Sequence, residues 1–206
     1  MSKTDTRWSG VRDRAVVLDS GHGDVMARPF TETVENRIYF YSDVDSDSIL
    51  QFNRRLRELD NNNLADKCKK EMDSYIPIYI NINSLGGEIF SGLSAMDNIS
   101  QCKSPTVTIV DGACASAATF LSIAGKRRFI TKHSTMLIHQ LSAMWWGKYK
   151  EFKDEIKNLD MFMGIIKEIY LKKTKIPEKK LDEILEHDLF FDARTCLKYG
   201  LVDKIV

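Results

Sequence analysis

A single serine lies in a run of small residues, 112–118, between an apolar stretch typical of a strand and an apolar stretch typical of a helix. The strand is predicted over 107–110 and the helix over 119–124, which Gly125 ends. This order predicts Ser116 in a tight turn at the start of the helix, where backbone N–H groups and the helix dipole favour a developing negative charge. Small neighbours leave room for a carbonyl group to approach the backbone. Ser116 is therefore the first candidate for a covalent nucleophile.

Acyl transfer by a serine also needs a base and a third group that orients the base. His139 follows a predicted strand over 136–138, and the end of a strand can project a side chain into a cleft. Asp188 is predicted at the end of a helix, where its carboxylate could accept a hydrogen bond from the imidazole. The remaining histidines compete less well with His139 because of their polar loop-like surroundings or their position beside Asp188: His22, His133 and His187.

Backbone donors for a tetrahedral oxyanion are the last part of such a site. Gly86 and Gly87 follow a predicted strand, and glycine tolerates the positive φ that turns an N–H group outward. With the N–H group of Ala117 this loop could form an oxyanion hole. Spacing alone leaves structural roles open as well, because a serine among alanines can cap a helix and a glycine pair can simply form a turn.

Composition bounds the class of protein. The chain has 206 residues, of which 43% are hydrophobic and 29% charged, as in an ordinary single globular domain. Its net charge of +1 gives no electrostatic footprint for nucleic acid. No apolar run is long enough to cross a membrane, and the polar first 20 residues do not suggest a secretory signal, so a cytoplasmic location is expected.

The four cysteines are far apart and lack CxxC spacing. This pattern argues against a zinc site and against a disulfide framework, so reduced thiols and no metal or other cofactor are expected.

Strand-like and helix-like segments alternate through the middle of the chain, which predicts βαβ units with a largely parallel sheet. A strand over 37–41 is followed by a helix that we expect Asn61, Asn62 and Asn63 to end, and then by a second polar helical stretch to about Met72. Residues 1–34 show little periodicity and are interpreted as a loosely ordered arm.

A long amphipathic helix is predicted over 149–170, because apolar residues recur there at steps of three and four. A second apolar stripe, which includes Phe162, Ile165 and Ile169, would not be covered by the same buried face. This favours self-association, although a helix packed fully onto its own domain is the alternative. A shorter helix is predicted to begin with Pro177 and to end near Asp188.

Five segments of the chain, in order, resemble the Clp protease proteolytic subunit (ClpP) family of serine peptidases. They are 79–87 (YININSLGG), 112–116 (GACAS), 136–140 (MLIHQ), 188–191 (DLFF) and 199–203 (YGLVD). The resemblance covers about 35–206 and implies an α/β fold of the ClpP/crotonase type, a superhelix of repeated ββα units with a protruding handle helix. It implies a peptidase domain over 35–206 with the handle at about 141–175, preceded at 1–34 by an arm, a propeptide or an axial region.

The same resemblance implies roles for individual residues. Ser116 would be the nucleophile, His139 the general base and acid, and Asp188 the orienting carboxylate, with the N–H groups of Gly86 and Ala117 as the oxyanion hole. It also implies a homo-oligomer of heptameric rings, two of which pair through the handles into a tetradecamer. Peptides or unfolded proteins would be the substrates, with an AAA+ unfoldase as the partner that delivers folded ones.

The chain departs from the family at several places, including the three that follow, and these keep other functions open. Leu85 stands where the family usually has proline, Ala117 where it usually has methionine, and 141–147 replace a proline and a glycine-rich strand. One alternative is a ring subunit without catalytic activity. A crotonase-like enzyme acting on an acyl thioester and a peptidase with a serine and lysine dyad are the others.

Overall fold

The computed structural model describes residues 30–69 and 74–206. These residues form one sheet and six helices. The strands are β1 (Phe30–Val34), β2 (Arg37–Tyr41), β3 (Ile78–Ser84), β4 (Thr106–Ala115), β5 (Arg127–Ile130), β6 (Thr135–Leu137), β7 (Phe190–Asp192) and β8 (Lys204–Ile205). The helices are α1 (Ser46–Lys69), α2 (Ile89–Gln101), α3 (Ala118–Ala124), α4 (Tyr149–Lys173), α5 (Glu178–Leu185) and α6 (Ala193–Lys198).

The sheet follows the order β1-β2-β3-β4-β5-β8, and every pair from β2 onward is parallel. The long strand β4 has two neighbours on one side, since its first half pairs with β5 and its second half pairs with β6. β7 then adds to β6 in the antiparallel direction. The predicted α/β class with a largely parallel sheet is confirmed.

The core lies between the sheet and the first three helices. α1, α2 and α3 contact one another in succession and pack on the strands β1 to β4. The strand positions that meet them are fully buried isoleucines, including Ile38, Ile80 and Ile82. They alternate along the strands with partly exposed residues such as Tyr39 and Tyr79, so one face of these strands meets the helices.

The prediction that the asparagine run ends the first helix is wrong, because α1 continues without a break to Lys69. Asn63 is buried, and its Nδ2 donates to the carbonyl oxygen of Ile76 at 3.0 Å and to Ser104 Oγ at 3.3 Å. Asparagine in a helix costs less than about 1 kcal/mol per residue relative to alanine, and these tertiary hydrogen bonds offset that cost. The end of the predicted second helical stretch, at about Met72, lies outside the described residues.

The predicted N-terminal arm contains one regular element in its described part. β1 pairs with β2 in an antiparallel hairpin, with Val34 opposite Arg37. Glu35 adopts a positive φ of 52° in the two-residue turn. That turn lacks the glycine that usually marks a hairpin in sequence, which is why the strand was missed.

The C-terminal half of α4 joins the core. Its buried residues in the described structure are Ile166 and Tyr170, whereas Tyr149 and Ile156 nearer the N-terminus are 73% and 56% exposed. The helix therefore begins away from the core and enters it near its C-terminal end. No helix in the described ranges has the length and apolar character needed to cross a bilayer.

Candidate active site

Ser116 occupies the turn that joins β4 to α3, as the sequence predicts. Its φ is 53°, a left-handed conformation that a residue with a side chain adopts at a cost of about 1–3 kcal/mol. The turn is held by the Ser116 N–H group, which donates to the carbonyl oxygen of Leu137 at 2.9 Å. A strained turn of this kind exposes the serine hydroxyl at the edge of the sheet.

The structure brings Ser116, His139 and Asp188 together. His139 Nε2 lies 2.9 Å from Ser116 Oγ, and His139 Nδ1 lies 2.9 Å from Asp188 Oδ1. The carboxylate accepts the Nδ1 proton, which leaves Nε2 of the neutral ring free to accept the proton of the serine hydroxyl. The other described histidines, His133 and His187, are exposed and have no such contact with the serine. His22 lies outside the described residues.

Strand pairing explains why residues so far apart in sequence meet. Ala115 at the end of β4 is paired with Leu137 at the end of β6, so Ser116 and His139 both lie just beyond the same sheet edge. Leu137 is also paired with Phe190 of β7. Asp188 precedes Phe190 by two residues and therefore lies near the same sheet edge. Because β6 lies between β4 and β7, it sets the positions of all three side chains.

The glycine loop differs from our expectation. The N–H group of Gly86, expected to face a substrate, donates to Ser84 Oγ at 3.2 Å, and Gly86 itself is buried. Gly87 is exposed, lines the same cavity as Ser116 and Ala117, and donates no hydrogen bond within the described residues. Both positions have a positive φ, 99° and 148°, which glycine adopts readily. The presence of glycine at both positions therefore does not show which of the two N–H groups faces the cavity.

Gly86 instead allows the loop to approach the serine closely. A Cβ atom at this position would lie 2.6 Å from Ser116 Cβ and 2.7 Å from the carbonyl oxygen of Ala115. Contacts this short are not tolerated by backbone atoms, and the positive φ of Gly86 independently disfavours a side chain. The loop can therefore contact the serine turn only with glycine at this position.

A cavity of about 380 Å³ opens beside the serine hydroxyl. Most of its lining side chains are apolar, and the polar ones include a carboxylate, an imidazole, an amide and hydroxyls. The lining residues are Gly87, Glu88, Ile89, Phe90, Ser116, Ala117, Phe120, His139, Gln140, Leu141, Ser142, Ile166 and Tyr170. This size and lining suit one apolar side chain or a similar group, held next to the serine.

The thiol next to this turn is not a competing nucleophile. Cys114, two residues before Ser116, is fully buried, and burial raises the pKa of its thiol far above the usual range. A protonated thiol is a poor nucleophile. Within the part of the chain that the structure describes, no three His, Cys, Asp or Glu residues are grouped as a metal site would require.

A family model for Clp protease matches residues 32–206 of the chain. The chain belongs to the Clp protease family. It is 33% identical over 178 residues to the ATP-dependent Clp protease proteolytic subunit 1 of Protochlamydia amoebophila, with 84% of this chain and 82% of the relative covered. It is 29% identical over 194 residues to the ATP-dependent Clp protease proteolytic subunit of Deinococcus radiodurans, with 93% and 90% covered. The predicted family is thereby confirmed.

Proposed function

We propose that this Clp protease family member is a serine endopeptidase whose nucleophile is Ser116. The observation that carries the proposal is the pair of 2.9 Å contacts that join Ser116 Oγ to His139 and His139 to Asp188. Both contacts are already within the range needed for proton transfer in the absence of substrate. The names of the relatives, which are proteolytic subunits, support peptide bonds as the target.

The proposed reaction has two halves. Ser116 Oγ attacks the peptide carbonyl carbon while its proton moves to His139 Nε2, and the collapse of the tetrahedral intermediate transfers that proton to the leaving amine. Water then attacks the acyl-serine, again losing a proton to His139, and its hydrolysis releases the carboxylic acid and restores the hydroxyl. Asp188 holds the ring with Nδ1 as donor throughout and stabilises the imidazolium that forms in each half.

The oxyanion hole is proposed to consist of the N–H groups of Ala117 and Gly87. Ala117 precedes the first residue of α3, where N–H groups have no partner within the helix. Gly87 replaces Gly86 in this proposal, because the N–H group of Gly86 is bonded to Ser84. Removal of one such donor typically costs about a hundredfold to a thousandfold in rate.

The apolar cavity is proposed to bind the side chain that precedes the cleaved bond. Phe120, Ile166 and Tyr170 are buried around it, and the one carboxylate in its described lining, that of Glu88, is exposed and already accepts hydrogen bonds from the hydroxyls of Ser46 and Ser91. The lining, taken from the described residues, also includes no lysine, so a serine and lysine dyad has no support at this cavity.

Assembly and partners complete the proposal. The exposed apolar residues of α4 support self-association. The resemblance to the family extends this to a proposed homo-oligomer of paired heptameric rings, in which the sites face an internal chamber. Unfolded chains would reach the chamber through an AAA+ unfoldase, in keeping with the words "ATP-dependent" in the relatives' names. Such enclosure would protect cytoplasmic proteins from an unselective peptidase. The peptidase unit would be residues 35–206 with a handle at about 141–175, after an N-terminal region, 1–34, that contributes β1 to the sheet.

Labelling with a fluorophosphonate probe tests the proposal directly. The wild-type protein should be labelled and should hydrolyse short peptides with an apolar residue before the cleaved bond. Ser116→Ala should lose both properties while keeping the same mass in solution, and His139→Ala should lose most of both. A correctly assembled wild-type protein that is neither labelled nor active would instead support the alternative of a ring subunit without catalytic activity. Activity retained in Ser116→Ala would exclude this nucleophile.

A further inference from the structure

Two buried hydroxyl groups lie directly behind the serine turn. Thr119 is fully buried in the first turn of α3, and Tyr170, near the C-terminal end of α4, is 2% exposed. Thr119 Oγ1 donates to the carbonyl oxygen of Ser116 at 2.6 Å and lies 2.5 Å from the Tyr170 hydroxyl. The mechanism proposed above uses neither hydroxyl.

The direction of these hydrogen bonds follows from counting protons. A threonine hydroxyl has one proton, and here it is bonded to the Ser116 carbonyl oxygen. Tyr170 must therefore donate to Thr119 Oγ1. Burial raises the pKa of the Tyr170 hydroxyl well above its usual range, so the proton that it donates stays on the tyrosine. The two hydroxyls form a directed series of hydrogen bonds from α4 to the serine turn.

This series of hydrogen bonds ends on the peptide group between Ser116 and Ala117. The carbonyl oxygen of Ser116 and the N–H group of Ala117 belong to the same planar amide, and in a trans peptide they point in opposite directions. The Ser116 carbonyl oxygen also accepts a hydrogen bond from the Thr119 N–H group at 3.0 Å. Two hydrogen bonds behind the amide thus fix its plane, and with it the direction of the Ala117 N–H group.

We propose that Thr119 and Tyr170 are positioning residues that aim and polarise the Ala117 N–H group toward the oxyanion. This inference rests on the proposed peptidase function and adds residues that neither the triad nor the oxyanion hole contains. Hydrogen bonds that act in series polarise one another, so donation to the carbonyl makes the N–H group of the same amide a stronger donor. The same series of hydrogen bonds links the C-terminal end of α4 to the site, since Tyr170 is one of the two buried residues of that helix.

Substitutions that differ by one hydroxyl group test the inference. Thr119→Val keeps the shape of the side chain and should lower kcat about tenfold, a fraction of the loss expected when an oxyanion donor is removed outright. KM should change by less than about twofold, because the defect lies in the transition state. Thr119→Ser restores the hydroxyl and should restore kcat. Inhibition by a peptide aldehyde, whose adduct with Ser116 carries the same oxyanion, should weaken in parallel with kcat/KM in Thr119→Val.

Tyr170→Phe provides a second variant on the other helix. It leaves the bond from Thr119 to the Ser116 carbonyl in place, so its loss of kcat should be smaller, about threefold. The double variant combines Thr119→Val with Tyr170→Phe. The tyrosine hydroxyl acts on the amide only through the hydroxyl of Thr119, which Thr119→Val has already removed. The kcat of the double variant should equal that of Thr119→Val alone, because residues that act through one another are not additive.

Thr108→Val is the matched control. Thr108 is also fully buried, and its Oγ1 also donates at 2.6 Å to a backbone carbonyl of α3, that of Ser122. This variant should lose a similar amount of thermal stability with kcat unchanged. If Thr119→Val and Thr108→Val have the same kcat as the wild type, or if Thr119→Ser fails to restore activity, the positioning role is excluded. A wild-type protein without activity would instead overturn the proposed function itself.

Discussion

The backbone N–H group of Gln140 donates to the carbonyl oxygen of Leu185 over 2.8 Å. Gln140 immediately follows His139, and Leu185 is the last residue of α5, three positions before Asp188. This single backbone bond therefore fixes the segment that carries the imidazole to the helix that leads to the carboxylate. It supports the His139 to Asp188 contact independently of side-chain charge, which matters because the Asp188 side chain is 54% exposed.

Asp188→Asn should strongly reduce hydrolysis without disturbing this backbone frame. An amide can donate to His139 Nδ1 and so favour the tautomer in which Nε2 carries the proton and cannot accept one from Ser116. We expect kcat to fall by about a hundredfold to ten-thousandfold with a small change in KM. Steady-state hydrolysis of a fluorogenic peptide measures both constants.

The matched control is Asp182→Asn in α5, whose carboxylate pairs with Lys167 and not with the histidine. It should retain the wild-type kcat. Equal kcat in wild type and Asp188→Asn would show that Asp188 does not orient the base.

Gly86→Ala should abolish labelling of Ser116 by a fluorophosphonate. The new methyl group would lie 2.6 Å from Ser116 Cβ in a backbone conformation with φ of 99°, so the loop or the serine turn must move. The fluorophosphonate reaction, followed on a gel, reports that movement directly.

Gly164→Ala is the control for the same change of residue. No atom lies within 4 Å of a Cβ at this exposed helical position, so the variant should label normally and gain up to about 1 kcal/mol in stability from helix propensity. Normal labelling of Gly86→Ala would mean that the close approach of the loop does not position the serine.

The parallel sheet could be predicted from sequence because its strands are short apolar runs separated by helical patterns. Ser116 and His139 could be proposed because each follows such a run, and the ends of parallel strands meet at one edge, whereas Asp188 was proposed from its place at the end of a helix. The choice between Gly86 and Gly87 could not be made this way. It depends on where one N–H group points, and that direction is set by the hydroxyl of Ser84.

The extent of α1 was not predictable for a related reason. The side chain of Asn63 is hydrogen-bonded to Ile76 and to Ser104, which lie 13 and 41 positions away in sequence. Local propensity favours a helix end at an asparagine run, and only the tertiary fold supplies the compensating hydrogen bonds. The Thr119 and Tyr170 pair was missed likewise, since its members are 51 positions apart on different helices.

Stability at acid pH should depend on Asp203. Partial burial raises the pKa of this carboxyl, but hydrogen bonds from the side chain and N–H group of Arg128 outweigh that effect and hold it below its usual value. A depressed pKa stabilises the folded state fully above about pH 4, and the contribution disappears as the pH falls through the folded-state pKa.

The Asp203 side chain is 43% exposed, so solvent screens its interaction with Arg128 and about 1 kcal/mol is an upper bound. Asp203→Asn should therefore lower the Tm at pH 7 by at most about 2–4 °C, the shift that such a loss produces in a domain of this size. The two melting curves should converge as the pH falls below about 4. Asp154→Asn removes a pair with Lys157 in which both side chains are about three-quarters exposed, and it should leave the Tm unchanged at neutral and acid pH. A constant difference between wild type and Asp203→Asn across this range would contradict the assignment.

Assembly should depend on the apolar face at the N-terminal end of α4. Tyr149 and Ile156 are two turns apart on this helix and are 73% and 56% exposed, so their removal does not disturb the core of the subunit. If this face joins two rings, replacing both residues with serine should shift the sedimenting species to a smaller mass. Lys150 and Lys157 have the same spacing on the same helix, and replacing both of them with serine lowers helix propensity at least as much without removing the apolar surface of Tyr149 and Ile156. Only the first double variant should dissociate. Because an enclosed site depends on assembly, its fluorophosphonate labelling should also change, whereas a mass equal to that of the wild type would show that this face does not hold the rings together.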